Sequence, residues 1–224
     1  MIADFTELRR KMVDNQIRTV DVTDLSILEA FLTVSREDFV SEDMKALSYL
    51  DTDIVLCPVQ DGIPERYLMK PASLAKLLQL AAVKSSDVVL DIGANNGYCA
   101  ALLSKLAGAV IALESHKFLF ECALEILERK QCDNVVVIHG PLEQGYAVGG
   151  PYDVIFIEGS VDFIPQGIFD QMKDSGRLVV VEGYGNAAVA RIYIKEDGSI
   201  SARCAFNLAV KPLPCFLKTP GFVF

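Results

Sequence analysis

Val88-Val89-Leu90-Asp91-Ile92-Gly93-Ala94-Asn95-Asn96-Gly97-Tyr98 is the stretch whose reading decides the fold. An apolar run carries an acid, then a small-residue loop, then a segment suited to a helix. Twenty-one residues after Gly93 a second acid, Glu114, ends another apolar run, Ala109-Val110-Ile111-Ala112-Leu113. Strand, glycine turn, helix, strand and acid is the order in which a doubly wound sheet builds a ligand pocket at its carboxyl edge. Gly93 and Gly97 permit positive φ or close approach of a ligand. Glu114 is placed to accept hydrogen bonds from ribose hydroxyls. Asp91 is placed to accept one from the loop or from a ligand amine.

The dinucleotide fingerprint wants glycine at three positions of G-x-G-x-x-G. Here Asn95 fills the middle position and Tyr98 the third. An acid, then G-x-x-x-G, then a strand-end acid resembles instead the first two motifs of class I methyltransferases, which bind S-adenosylmethionine. Two other readings stand beside it: a dinucleotide site, and a plain glycine turn whose acid caps the next helix.

Working outward, strands and helices alternate. Strands are expected at Val88–Asp91, Val110–Glu114, Val135–His139, Val154–Glu158 and Leu178–Glu182, with helices at Tyr98–Leu106, Phe118–Lys130 and Ile164–Lys173. Short apolar strands separated by helices predict a parallel sheet with right-handed crossovers. Residues 190–195 alternate in polarity, Asp197-Gly198 reads as a hairpin turn, and residues 200–210 return. Before Pro71 the chain is helical and loop-like. Thr6–Gln16, Asp24–Leu32 and Ser41–Leu47 fit helices. Asp51–Arg66 reads as loop, with Pro58, Asp61-Gly62 and Pro64 as turn signals. Pro71 opens a helix through Val83. The expectation is an α/β fold: a Rossmann-like, doubly wound, mostly parallel sheet ending in an antiparallel hairpin. Residues 1–70 form an N-terminal extension packed on a core of residues 71–224.

With 224 residues, 51% of them apolar, the chain can bury a large core. The formal charge of −9 argues against nucleic acid as a partner, because phosphate binding needs clustered Lys and Arg. Nothing approaches the roughly 18 apolar residues that span a bilayer. The first residues lack a signal-peptide layout. A cytoplasmic protein with no membrane partner is expected. The six cysteines have no C-x-x-C pair and there are two histidines, so no metal site is expected. Cys99, at a helix start, is a position where a thiol pKa can fall, though packing is the better account of it.

The resemblance extends over nearly the whole chain. Met12-Val13-Asp14-Asn15-Gln16-Ile17, Ile27-Leu28-Glu29-Ala30, Val34-Ser35-Arg36-Glu37-Asp38-Phe39-Val40 and Leu47-Ser48-Tyr49-Leu50-Asp51 fall in the order and spacing of motifs in the protein-L-isoaspartate O-methyltransferase family. Pro151-Tyr152-Asp153-Val154-Ile155 and Gly176-Arg177-Leu178-Val179 are similar to its fourth and fifth strand signatures. The resemblance implies methylation of isoaspartyl carboxylates with S-adenosylmethionine, leaving S-adenosylhomocysteine. It places the cofactor on Asp91, Gly93, Ala94, Asn95, Gly97, Tyr98, Glu114, Ser115, Pro141, Leu142 and Glu158.

Two departures bear on function. The family's acceptor segment is G-x-T-[IV]-S-x-P; here Tyr67 stands at the Thr position and Met69 at the Ser position. A thioether donates no hydrogen bond to a carboxylate. Tyr67 and Met69 either form an apolar lid or fill the space of a lost polar pocket. The family's adenine-binding acid follows the third strand, where this chain has Gly140-Pro141-Leu142-Glu143. Glu143 or a main-chain carbonyl is left to replace it. A carboxylate acceptor needs no general base, whereas a hydroxyl or amine does, and Glu158, His139 and Tyr67 are the candidates. The acceptor is a protein, a peptide or a small molecule. An active methyltransferase with a drifted acceptor and a non-catalytic cofactor-binding protein both remain open.

Overall fold

The computed structural model describes residues 4–59 and 64–218. Asp61 and Gly62, read as turn residues, lie outside the described residues, as do Met1 to Ala3 at the start of the segment read for a signal peptide.

Seven strands make the main sheet: β3 (Val88–Ile92), β4 (Ala109–Glu114), β5 (Val135–His139), β6 (Tyr152–Val161), β7 (Met172–Glu182), β8 (Val189–Glu196) and β9 (Ser199–Asn207). Their order is β5-β4-β3-β6-β7-β8-β9. The pairs from β5 through β7 are parallel, and β8 and β9 close the sheet as an antiparallel hairpin. The order reverses direction between β3 and β6. That switch point is where an open sheet leaves a crevice at its strand ends.

Both faces of the sheet are covered, which is why its central strands are continuous apolar runs. Successive residues of β3 point to opposite faces, so Val89 joins one apolar cluster while Leu90 and Ile92 join another. The first cluster also takes in α1 (Phe5–Met12), α2 (Leu25–Thr33), α3 (Pro71–Ala81) and α4 (Tyr98–Leu103). The N-terminal helices therefore share one core with the sheet. The second contains Ile168 of α6 (Gln166–Asp170) and Phe216.

Four expectations are corrected. The first helix is α1, capped by Asp4, whose carboxylate accepts from the amides of Thr6 and Glu7; it continues as a π-helix over Val13–Ile17. The wider turn puts Val13 and Ile17, both fully buried, on one side. Residues 42–47 form a 3-10 helix, not an α-helix. The segment read as loop holds a small antiparallel hairpin, β1 (Ile54–Cys57) with β2 (Arg66–Leu68). The helix expected over 164–173 shrinks to α6, because Pro165 precedes its first residue and Met172 already pairs with Tyr152 in the sheet.

Gly97 precedes α4 with φ +90, and a Cβ there would lie 2.9 Å from Cδ1 of Leu127 and 3.4 Å from Cβ of Ala123. Both belong to α5 (Lys117–Arg129). Close helix packing, then, requires this glycine. Gly97→Ala is expected to lower the unfolding free energy by about 1–3 kcal/mol through strain and crowding. Gly198→Ala, with φ +75 and nothing within 4 Å, tests strain alone. In urea unfolding the Gly97 variant should lose more; equal losses would mean that the contact with Leu127 contributes nothing.

Candidate functional site

The loop Gly93–Gly97 sits at the switch point, with Gly93 at φ +84, Asn95 at +53 and Gly97 at +90. Its amides are mostly used internally. Those of Gly93 and Ala94 donate to the Leu113 carbonyl (2.9 and 3.1 Å), that of Gly97 to Ala94 (2.8 Å) and that of Asn95 to Oε2 of Glu114 (2.8 Å). A phosphate cradle needs such N–H groups free. This loop does not offer them, which counts against a dinucleotide.

Behind the loop lie three buried groups. A carboxylate oxygen of Asp91, one of Glu158 and Sγ of Cys99 fall within 4.8 Å of one another, the only such set of three possible metal ligands among the described residues. Asp91 is fully buried; neither of its oxygens has a hydrogen-bond partner, and neither does Oε1 of Glu158. Burial, followed by the nearby charge of Glu114, raises the Asp91 pKa from 3.8 to about 8. Burial and Asp91 together push Glu158 well above its ordinary value. The helix-start expectation for Cys99 is reversed: burial and the two acids push its thiol pKa up, not down. A neutral thiol is a poor metal ligand. An organic cation needs only the carboxylates.

Glu114 is in the opposite state. It is fully buried and saturated. Oε1 accepts from Nη1 of Arg66 (2.6 Å) and the His116 amide (2.7 Å), and Oε2 from Nη2 of Arg66 (2.8 Å) and the Asn95 amide. Arg66 also donates to the Gly93 carbonyl at 3.3 Å. The segment after β9 roofs this region. The Ser160 amide donates to the Lys211 carbonyl and the Leu213 amide donates to the Ser160 carbonyl, and Leu213 methyls lie 3.0 and 3.1 Å from where a Gly93 Cβ would be.

Two spaces open here. A cleft of about 430 Å³ is lined by Pro64, Arg66, Ser115, His116, Lys117, His139, Pro214 and Cys215. A cavity of about 20 Å³ is lined by Glu65, Arg66, Tyr67, Asn95, Glu158, Lys211, Pro212 and Leu213. Only Arg66 lines both.

The structure thus brings Asp91, Gly93, Asn95, Glu114, Ser115 and Glu158 together. It does not bring in every expected residue. Tyr98 points away, edge-on to Phe31 and Phe39, with the Arg36 guanidinium 4.8 Å over its ring. Leu142 is fully buried in the second apolar cluster and Pro141 is exposed; neither lines the cleft. Met69 is buried in the first cluster, so it is core and not a lid. Tyr67 does reach the mouth, its hydroxyl donating to Glu65 and Lys211 Nζ standing 4.6 Å over its ring. His139 Nε2 sits 3.0 Å from the Ser115 carbonyl, inside the wide cleft and away from Glu158. Arg66 and Leu213 are the site residues that sequence reading missed.

A sequence profile of the family described as Protein-L-isoaspartate(D-aspartate) O-methyltransferase (PCMT) matches residues 7–213. The chain belongs to this family. The protein-L-isoaspartate O-methyltransferase of Koribacter versatilis (strain Ellin345) is 31% identical over 192 residues, covering 86% of this chain and 84% of the relative. That of Protochlamydia amoebophila (strain UWE25) is 35% identical over 172 residues, covering 77% and 79%. A solved protein-L-isoaspartate O-methyltransferase superimposes with TM-score 0.80 at 26% identity, over 92% of this chain and 65% of its own length. A solved structure from Plasmodium falciparum, in complex with S-adenosyl-L-homocysteine, shares the fold with TM-score 0.75 at 20% identity, over 95% and 99%. As a protein-L-isoaspartate O-methyltransferase family member the chain is an S-adenosylmethionine-dependent methyltransferase of class I. Membership favours the enzyme over the non-catalytic binding protein. No helix among the described residues is long and apolar enough to cross a membrane.

The acid pair makes stability depend on pH. The folded Asp91 pKa of about 8 lies above its unfolded value near 3.8. Between those values the folded chain holds a proton that the unfolded chain has released. This group's contribution is therefore full below about pH 4 and falls away as pH rises towards 8. Asp91→Asn should raise the Tm of the ligand-free protein at pH 8 and flatten its decline between pH 5 and 8, an effect on the order of a few kcal/mol. A pH profile parallel to wild type would contradict this.

Proposed function

We propose that this family member transfers the methyl group of S-adenosylmethionine to a carboxylate on a protein or peptide, and that isoaspartate is a poor acceptor for it. Bound S-adenosylmethionine supplies an activated methyl group on a sulfonium and carries an ammonium on the same arm. The observation that carries the reading is the pair Asp91 and Glu158, buried acids with unpartnered oxygens beside the Gly93 turn. Buried carboxylates require a cation or a proton. The donor's charged arm provides the cation, whereas a dinucleotide pyrophosphate would be repelled.

Further out, Ser115, His139 and Pro214 line the cleft fit for the adenosine end. Glu143 is half-buried and lines neither space, which leaves main-chain groups to meet the adenine amine. At the mouth, Lys211 is the cation and Glu65 the opposing acid, while the Arg66 charge is paired with Glu114. Lys211 favours an acceptor that is already ionised, and such an acceptor needs no base. The net charge of −9 fits neither a nucleic-acid partner nor an anionic membrane surface. Six unpaired cysteines fit a reducing cytoplasmic compartment.

Cofactor binding should release a proton from the Asp91–Glu158 pair. Titration calorimetry with S-adenosylmethionine near pH 7, in buffers of differing ionisation enthalpy, should show this release, and Asp91→Asn should abolish it. Binding of NAD in place of S-adenosylmethionine would overturn the reading.

Labelled methyl transfer to an isoaspartyl peptide checks the acceptor. Met69 offers no donor and faces the core, while Tyr67 crowds the mouth. Loss of one preorganised donor costs about a hundredfold in rate. Little wild-type turnover is expected, with a gain in the Tyr67→Thr variant. Robust wild-type turnover would restore isoaspartate as the acceptor.

A further inference from the structure

The carboxylate expected to hold the ribose diol is already full. Of the four donors on Glu114, the amides of Asn95 and His116 are fixed by the backbone. The other two are the paired N–H groups of the Arg66 guanidinium, at 2.6 and 2.8 Å. A carboxylate offers about four acceptor positions. A diol that bonds to Glu114 must take the two that Arg66 holds, and the two occupants are mutually exclusive.

Position leads to the same conclusion. Arg66 alone lines both the wide cleft and the small cavity containing Glu158. A ligand stretching from the buried acids to the His139 side of the cleft passes through the guanidinium. Its contact with the Gly93 carbonyl and the Leu213 side chain above the turn close the same passage. We propose that Arg66 is an internal plug of the ribose site, and that cofactor enters only as the guanidinium leaves Glu114. This rests on the cofactor reading above and adds a regulated entry step to it. The fork of two N–H donors gives way to a fork of two hydroxyls. The charge released from Glu114 returns to water or to the mouth, where Glu65 and Lys211 stand.

A closed site that must open binds more weakly by the fraction of time it is open. Removing the plug should therefore tighten binding, whereas removing a residue that contacts the ligand would weaken it. The probe is S-adenosylhomocysteine, titrated by calorimetry into wild type, Arg66→Ala and Arg66→Lys. Arg66→Lys keeps a cation beside Glu114 but lacks the fork, and it serves if Arg66→Ala does not fold without ligand. The expected result is about tenfold or more tighter binding for Arg66→Ala and a smaller gain for Arg66→Lys. Stopped-flow association should saturate with ligand concentration in wild type, where Arg66 release limits entry, and stay linear in the alanine variant. If wild type binds and both variants bind equally or more weakly, the plug is refuted and the cofactor reading stands. If none of the three binds, the cofactor reading fails and the plug with it.

Discussion

A carboxylate with no access to water joins four parts of this chain. Glu114 ends β4, and it is met by Arg66 from β2, by the amide of Asn95 in the glycine turn and by the amide of His116 just before α5. An ion pair at this depth gains its place through geometry: the cost of taking both charges out of water is recovered only where every acceptor is filled. Here every acceptor is filled. The turn conformation, the start of α5 and the seating of the small hairpin on the sheet all depend on that arrangement.

Close enough to feel the charge of this satisfied acid lie two that are not satisfied. Asp91 and Glu158 lie together at the switch point, and both Asp91 oxygens and Oε1 of Glu158 lack a hydrogen-bond partner. One site thus holds a fully hydrogen-bonded acid and a pair that keeps a proton, a division produced by their neighbours. The saturated acid builds the scaffold. The unsatisfied pair lies behind the turn, where Glu158 lines a cavity of about 20 Å³. Cys99, pressed against the pair, is held as an unreactive thiol by the same surroundings.

The sheet and its switch point were legible because buried parallel strands leave continuous apolar runs, and Asp91, Gly93 and Glu114 punctuate them. The site was legible only along those strand ends. Arg66 was hidden because its strand is three residues long, too short to show alternation, and its partner lies 48 positions away. Leu213 belongs to an irregular segment that gains its place from backbone bonds to β6, which no side-chain pattern reveals. Tyr98 was misplaced for another reason. It follows the turn directly, yet its helix aims it at Phe31 and Phe39 in the N-terminal helices. Leu142 shows the same limit, since an apolar residue after a strand can line a cleft or fill a core.

The unsatisfied acid pair also bears on the lifetime of the protein. A fold that encloses two acids paired only through a retained proton is weaker near neutral pH than the same fold holding a cation there. Any bound cation that meets them stabilises the native chain by mass action. Local opening, and with it cleavage by proteases, becomes rarer in proportion. Such a chain resists proteolysis better with its methyl donor bound than without it.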